Sequence, residues 1–536
     1  MWGSVTATGR MGGGRPPDGR AGTTPGARGA GSVEGVTAAD PSPVPDATGR
    51  AGPATHPHGR WYPWVVMAVV LAGSYLVVLN TTVLGVALPD IADGFGGSSG
   101  LDVDWVITSY LLAVVAAQPA TAWLADRFGH KRLYLGCLGL FAVGSLLCAI
   151  APTLPALLAA RVVQGTGGGA LMPLGMAMVL GVFPPHRRGL VLGIRGVAIM
   201  AGPALGPPIG GIIVTQASWR VIFAVLVPIA VVAVVLAARL LRDPGTRNHR
   251  PLDTAGWILA FVGISLVVVA ARQAPSWGFT DPTTIAALVL GAVALGWLAV
   301  RSSRRAHPIL ELRLFTVPIF GLSLVMVWLI TVVQFARLNF LPVELQVVRG
   351  ATAQEVGLML APAAIGVALT MATGGWLADR IGARIPMVAG LSVLAFTTWQ
   401  LATLTPETSV RWIVLVLLVQ GLGTGLMRIP LNVAGMNALQ NRYITHAAAL
   451  RSLNRQVAGA LATAVLAAIL TAQIGVIAPQ PATDAELLAA QEAYNRLFQV
   501  AFGFSLAALV GAVFMPGRDR MRQLQASRAA EYAADD

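Results

Sequence analysis

Six arginines, Arg161, Arg195, Arg337, Arg428, Arg451 and Arg455, fall inside stretches of apolar sequence, and Glu344 falls in another. A guanidinium stays charged at physiological pH and presents five donors in a rigid fork, so in apolar surroundings it needs carbonyls, a carboxylate or a bound anion. A buried carboxyl such as Glu344 offers something different, a place to carry a proton. Arg337 and Glu344 are seven residues apart, which puts both on one face of a continuous helix, two turns from each other. The chemistry on offer is therefore anion binding and proton movement. Metal or nucleophilic chemistry has little to stand on, because four of the seven histidines lie in the N-terminal tail or in scattered loops and the acids form no spaced motif. Cys137 and Cys148 share one apolar stretch and read as packing residues, not as a disulfide or metal site.

The elements that must hold these groups are membrane-spanning helices. The chain is 55% hydrophobic and 11% charged, with mean hydropathy +0.69; a soluble domain carries about 25% charged residues. Between residues 61 and 515 apolar stretches alternate with short connections, each stretch long enough to cross about 30 Å of hydrocarbon as a helix. Fourteen such spans begin near residues 63, 104, 133, 156, 189, 219, 254, 283, 317, 353, 386, 410, 446 and 493. The formal charge of +13 belongs to membrane topology and not to nucleic-acid binding, since the basic residues sit at the ends of apolar stretches. Arg127, Lys131 and Arg132, then Arg187 with Arg188, Arg239 with Arg242, Arg301 with Arg304, and Arg380 with Arg384 fall in alternate connections. The first of the other connections carries Asp90, Asp93, Asp102 and Asp104. This bias predicts both termini in the cytoplasm of a plasma (inner) membrane. Residues 1–60, rich in Gly, Pro, Ala and Arg, read as a disordered cytoplasmic tail without a signal peptide.

An internal repeat organises the spans. WLADR occurs at Trp123–Arg127 and at Trp376–Arg380, 376 − 123 = 253 residues apart, and Gly129 is matched by Gly382. Gln164-Gly165 with Gly167 and Gly169 is matched by Gln420-Gly421 with Gly423 and Gly425, 420 − 164 = 256 residues apart. Two echoes at nearly one offset imply two homologous six-helix bundles, 61–243 and 314–516, with two inserted helices in 244–313 and a second cytoplasmic tail in 517–536.

With these motifs the chain resembles the major facilitator superfamily, specifically its fourteen-helix drug:proton antiporters. The segment from Trp123 through Asp126, Arg127, Gly129 and Lys131 to Arg132 is similar to the family's loop motif, although Ala122 and His130 depart from it. Arg161-Val162-Val163-Gln164-Gly165 resembles the fourth-helix motif. Gly202-Pro203-Ala204-Leu205-Gly206-Pro207-Pro208-Ile209-Gly210-Gly211 resembles the antiporter motif of the fifth helix, in which small residues let helices touch and prolines bend them. Leu79-Asn80-Thr81-Thr82 resembles the first-helix motif, but Asn80 replaces an acid that titrates in the family. Arg195 stands where the family has an aromatic, and Glu344 where it tends to have Tyr.

The resemblance implies an all-α membrane fold and a secondary transporter that exports small amphiphilic compounds by alternating access, with protons as the coupling ion, no cofactor and a single chain as the unit. It implies a pathway along the first, fourth, ninth and twelfth family helices, which carry Asn80, Arg161, Arg337 with Glu344, and Arg428, and Arg195 of the fifth helix is counted with it. It also implies a conformational latch of Asp126, Arg127, Gly129, Lys131 and Arg132 with Asp379 and Arg380. Such a pathway is net positive and suits an anionic amphiphile, unless its arginines are spent on helix carbonyls and on Glu344. An uncoupled or differently coupled carrier of an anionic metabolite stays open because Asn80 cannot titrate. A membrane-embedded enzyme or a sensor is the alternative of another class.

Overall fold

The computed structural model describes residues 61–95, 100–242, 251–278, 280–305, 307–474, 483–520 and 523; the 1–60 tail and most of 517–536 lie outside the described residues. Among the described residues the regular elements are helices. The first six helices are α1 (Tyr62–Gly94), α2 (Gly100–Phe128), α3 (His130–Ala149), α4 (Leu154–Val182), α5 (Arg188–Gln216) and α6 (Trp219–Leu240). A hairpin of α7 (Thr254–Trp277) and α8 (Pro282–Arg304) follows. Then come α9 (Pro318–Phe335), α10 (Leu341–Val347), α11 (Ala353–Ile381), α12 (Arg384–Leu401), α13 (Val410–Asn437), α14 (Ile444–Ile474) and α15 (Asp484–Val513).

Among the described residues twelve spans are long and apolar enough to cross a membrane, α9 and α10 counting as one span from Pro318 to Val347. The protein is thus a multi-pass membrane protein. The expected fourteen is not reached by this measure, because α5 and α12 fall outside it. Both are helices, of 29 and 18 residues; α12 carries Arg384, Gln400 and the adjacent Thr397 and Thr398, and part of α5 lies outside the described residues.

Helix starts follow their capping residues. Thr153, Ser218, Asp253, Asp281, Thr352, Ser409 and Thr483 each accept a backbone N–H of the first turn, and Thr352 with Glu355 closes a full capping box. At the two WLADR ends the chain reverses through Gly129 (φ 84°) and Gly382 (φ 88°), a left-handed conformation that a side chain resists.

The packing repeats as the sequence does. α2 with α4, α3 with α4, α3 with α6 and α1 with α5 recur as α11 with α13, α12 with α13, α12 with α15 and α9 with α14. The glycines of the two QGxGxG helices explain the first of these pairs. A Cβ at Gly165 would stand 2.5 Å from the Tyr110 carbonyl, and one at Gly421 would stand 2.1 Å from the Ala363 carbonyl, so each helix lies with its backbone against its neighbour. One core joins α1 to α6, two more lie within α9 to α15, and a fourth, around Leu192, Met371, Ile429 and Ala448, spans both sets.

Between α9 and α10 the helix widens into a π-turn, Ala336–Phe340. Pro342 lacks an N–H and its ring would meet the carbonyl four residues earlier, so the extra residue relieves the clash. The widened turn breaks the seven-residue register. Arg337 and Glu344 therefore do not form the one-faced pair expected of a continuous helix, and no hydrogen bond or ion pair joins them.

The α7–α8 hairpin lies along the line where α2 meets α14. Trp257 donates its indole N–H to the Ala116 carbonyl at 2.8 Å, and Ala260, Ile264 and Leu298 share a core with Val115 and Leu453. Its two ends are tied by Asp253, the N-cap of α7, whose Oδ1 accepts from Arg301 Nη2 at 2.8 Å and Nε at 3.0 Å. Burial alone pushes the Asp253 carboxyl up, but the Arg301 and Gly256 hydrogen bonds and the charge of Arg301 outweigh it and hold the group below the ordinary 3.8. An acid depressed in this way stabilises the fold above that value and loses its contribution only as pH falls through the lower, folded one. Asp253→Ala is expected to cost about 1–3 kcal/mol, read as a lower thermal midpoint of the detergent-solubilised protein at neutral pH. An unchanged midpoint would mean that apolar packing alone holds the hairpin.

Candidate functional site

Where the core shared by both sets of helices stops, a cavity of about 190 Å³ opens between α4 and α5 on one side and α9, α11, α13 and α14 on the other. Half of its polar lining is cationic: Arg195 from α5, Arg428 from α13, and Arg451 and Arg455 from α14. Gln334, Asn432, Thr331 and Ser452 add neutral polar groups, and no Asp or Glu is among the described residues that line it. Five methionines, Met172, Met176, Met200, Met371 and Met427, make up much of the rest. Thioether side chains are flexible and polarisable, so such a wall accommodates apolar bodies of varied shape.

Arg195 is nearly buried, and its Nη2 donates to Ser74 Oγ at 3.2 Å, leaving Nε without a partner. Arg451 likewise buries an unpartnered Nη1. Arg428, Arg451 and Arg455 donate no hydrogen bond and join no ion pair among the described residues. Arg455 sits about 16 Å along α14 from its start, yet it is exposed, so its free surface belongs to the cavity.

The structure separates residues that the resemblance had gathered into one pathway. Arg195 and Arg428 line the cavity; Asn80, Arg161, Arg337 and Glu344 do not. Arg161 is 1% exposed inside the first six helices, where its Nε donates to the Val106 carbonyl and its Nη1 to Asn80 Oδ1 at 3.1 Å and to Gln164 Oε1. Its guanidinium also lies 4.3 Å from the centre of the Tyr110 ring. Asn80 Oδ1 thus serves as an acceptor for Arg161, while its Nδ2 is buried without a partner. Glu344 is fully buried near the far end of the second set, where Gln491 Nε2 donates to Oε1 at 3.0 Å and Oε2 has no partner. Arg337 is half-buried in the π-turn, close enough to Arg428 for their charges to repel.

At the end of the bundle where α2 and α11 finish, the two sets touch. Asp379 Oδ1 and Oδ2 accept the backbone N–H groups of Gly189 and Leu190 at 2.9 and 2.8 Å, in the first turn of α5. Asp126 lies in the matching place against α14, with Oδ2 at 3.4 Å from His446 Nε2. Each acid thus faces the positive end of a helix in the other set. The basic residues of the loop motif play other parts. Arg127 and Arg380 lie over the rings of Trp123 and Trp376, one turn back, at 5.6 and 4.3 Å, which accounts for the WxxxR spacing. Lys131 donates to the Ala238 carbonyl at the end of α6, and Arg132 is exposed. The Gly/Pro-rich stretch of α5 faces α1: a Cβ at Gly202, Gly206 or Gly210 would meet Val78, Thr82 or Val83 within 3 Å, while Gly211 has open space. The helix runs unbroken through Pro203 and Pro207.

Sequence reasoning missed His446 and the methionine wall. It also missed a pairing that was legible: 451 − 195 = 256, the offset of the QG repeat, so Arg195 and Arg451 are the eighth residues of equivalent helices, α5 and α14.

Residues 70–463 match the family described as Major Facilitator Superfamily. The chain is similar to the uncharacterized MFS-type transporter YhcA of Bacillus subtilis, 36% identical over 76% of this chain and 77% of the relative. It is similar to a multidrug resistance protein B homolog of Mycobacterium tuberculosis, 31% identical over 76% of each. Among solved structures, the proton:xylose symporter XylE superposes with a TM-score of 0.58 at 14% identity, over 85% of this chain and 96% of that one.

The contact between the two sets is tightest where a Cβ on Gly375 would stand 2.0 Å from the Gly189 carbonyl. Gly375→Leu is expected to disfavour this closed contact by about 1–3 kcal/mol. Spin labels at His186→Cys and Ile381→Cys should then report a longer distance. The same distance as in the unsubstituted glycine background would show that the contact is incidental.

Proposed function

The chain belongs to the major facilitator superfamily, and from that premise we propose that it exports small amphiphilic compounds by alternating access. It is a membrane transporter and not an enzyme. In this reading α1–α6 and α9–α15 are the two rocking halves, α7 and α8 are inserted between them, and fourteen helices cross the plasma membrane with both termini in the cytoplasm. One chain carries both halves, so a monomer suffices.

The observation that carries the reading is the cavity between the halves, closed at one end by glycine backbone contacts and by Asp126 and Asp379 on opposite helix starts. A contact made of backbone N–H groups, two carboxylates and one imidazole can separate into water at modest cost, because each group is readily hydrated. Opening that end would expose the cavity to one side of the membrane, and closing it would expose the other. The resistance relative from Mycobacterium tuberculosis supports export as the direction.

Proton coupling is part of this reading, and Glu344 is assigned to it. Among the described residues, the acids that are buried are Asp253 and Glu344, and Asp253 is held by Arg301. A second reading, a carrier that is uncoupled or coupled to another ion, is favoured by Asn80 in place of an acid and by a cavity lined by no carboxylate. Proteoliposomes with an imposed pH gradient separate the two. Substrate addition should dissipate the gradient, and Glu344→Gln should abolish gradient-driven transport while leaving substrate exchange at equal pH. Gradient-driven flux that survives Glu344→Gln removes the residue from the coupling path; flux that ignores the gradient in the native chain favours the second reading.

A further inference from the structure

The charge of the cavity is unevenly divided between its walls, although both are apolar. α4 and α5 contribute Met172, Met176 and Met200 with a single arginine, Arg195, whereas α13 and α14 contribute Arg428, Arg451 and Arg455 beside Met427. The repeat accounts for Arg195 and Arg451, which occupy equivalent positions on opposite halves. It does not account for Arg428, whose counterpart 256 residues earlier, 428 − 172, is Met172. One wall has gained a charge where the other keeps a thioether.

The guanidiniums are close enough to repel one another: Arg428 with Arg455, Arg451 with Arg428 and Arg455, and Arg195 with Arg455 across the seam. Arg161 shows how this chain neutralises an arginine that serves only structure, with a carbonyl, two amide oxygens and an aromatic face. The cavity cluster has no such shell, and Arg195 Nε and Arg451 Nη1 are buried without partners. Several like charges held together at the depth of the bilayer destabilise the protein unless a counter-charge enters.

The geometry points to an organic-anion site: a carboxylate, sulfonate or phosphate head held by Arg428, Arg451 and Arg455 with Arg195 reaching it from the opposite half, and an apolar body lying on Met172, Met176 and Met200. This names the substrate class of the transport cavity and rests on the transporter reading. The binding it predicts is nevertheless measurable without transport.

Two dyes that share a xanthene body and differ in charge, anionic carboxyfluorescein and cationic rhodamine 6G, test it by fluorescence anisotropy on the purified, detergent-solubilised chain. Carboxyfluorescein should bind more tightly than rhodamine 6G. Arg428→Gln and Arg451→Gln should each weaken it by about tenfold or more, and Arg428→Lys by less than Arg428→Gln. Neither Gln variant should weaken rhodamine 6G, and this second dye reports whether a variant still holds its fold. Tighter binding of rhodamine 6G, or carboxyfluorescein binding unchanged in both Gln variants, overturns the inference. A parallel flux measurement in proteoliposomes keeps the two ideas apart. Anion binding without flux leaves the site standing and defeats the exporter reading; flux of rhodamine 6G alone supports export and defeats the anion site.

Discussion

Helices in a bilayer gain nothing from excluding water from one another, so they associate where their backbones can approach closely. The architecture of this chain depends on that constraint. Gly165 and Gly169 seat α4 on α2, Gly421 and Gly425 seat α13 on α11, and Gly202 and Gly206 seat α5 on α1. The same device then serves between the two sets of helices, where Gly189 and Gly193 of α5 meet Gly375 and Ala372 of α11. Within each set the glycine contacts are reinforced by continuous apolar cores; at the seam they are joined by a smaller core around Leu192, Met371 and Ile429 and, at one end, by hydrogen-bonding groups that water can replace.

The treatment of charge separates scaffold from site. Arg161 is 1% exposed and donates from Nε and Nη1 to the Val106 carbonyl, Asn80 and Gln164, which ties α4 to α1 and α2. Asp253 Oδ1 pairs with Arg301 and pins the ends of the α7–α8 hairpin. Arg428, Arg451 and Arg455 are left unsatisfied together, on the surface of one cavity. Proteins tolerate such arrangements where the missing partner arrives from outside.

Much of the fold was legible in sequence because it is written in length, apolarity and repetition. The span starts near 63, 133, 156, 219, 254 and 410 fall within a few residues of α1, α3, α4, α6, α7 and α13, since each is announced by a cap or a Pro before an apolar run. The start near 493 is nine residues late, because the first two turns of α15 carry Glu486, Gln491 and Glu492 and look like a loop to a hydropathy reading. The site was less legible for a different reason. Which face of a helix meets the cavity depends on how helices rotate against neighbours, and apolar spans with small hydrophobic asymmetry leave that rotation unmarked. Asn80 and Arg161 are therefore assigned to the pathway on family position alone, and the structure joins them by a hydrogen bond away from the cavity lining. The Arg337–Glu344 pairing failed through local chemistry, since Pro342 forces a π-turn that no periodicity anticipates.

The repeat offers a way to divide what remains. Features present at equivalent positions in both halves belong to the shared machinery: the helix-end acids Asp126 and Asp379, the left-handed Gly129 and Gly382, the stacked Trp–Arg pairs and the glycines of α4 and α13. Duplication supplies these, and relative motion needs them twice. Features present in one half only are not needed for symmetry and must answer to something asymmetric. Arg428 opposite Met172, Asn432 opposite Met176, and Arg455 with no arginine at 199, where Ile stands, all lie on the cavity, and all place the polar member in the second half. In the proposed anion site, the occupant of the cavity is the asymmetric partner these positions answer to. A molecule polar at one end and apolar at the other has that asymmetry, and two walls that differ in this way set the orientation in which it lies.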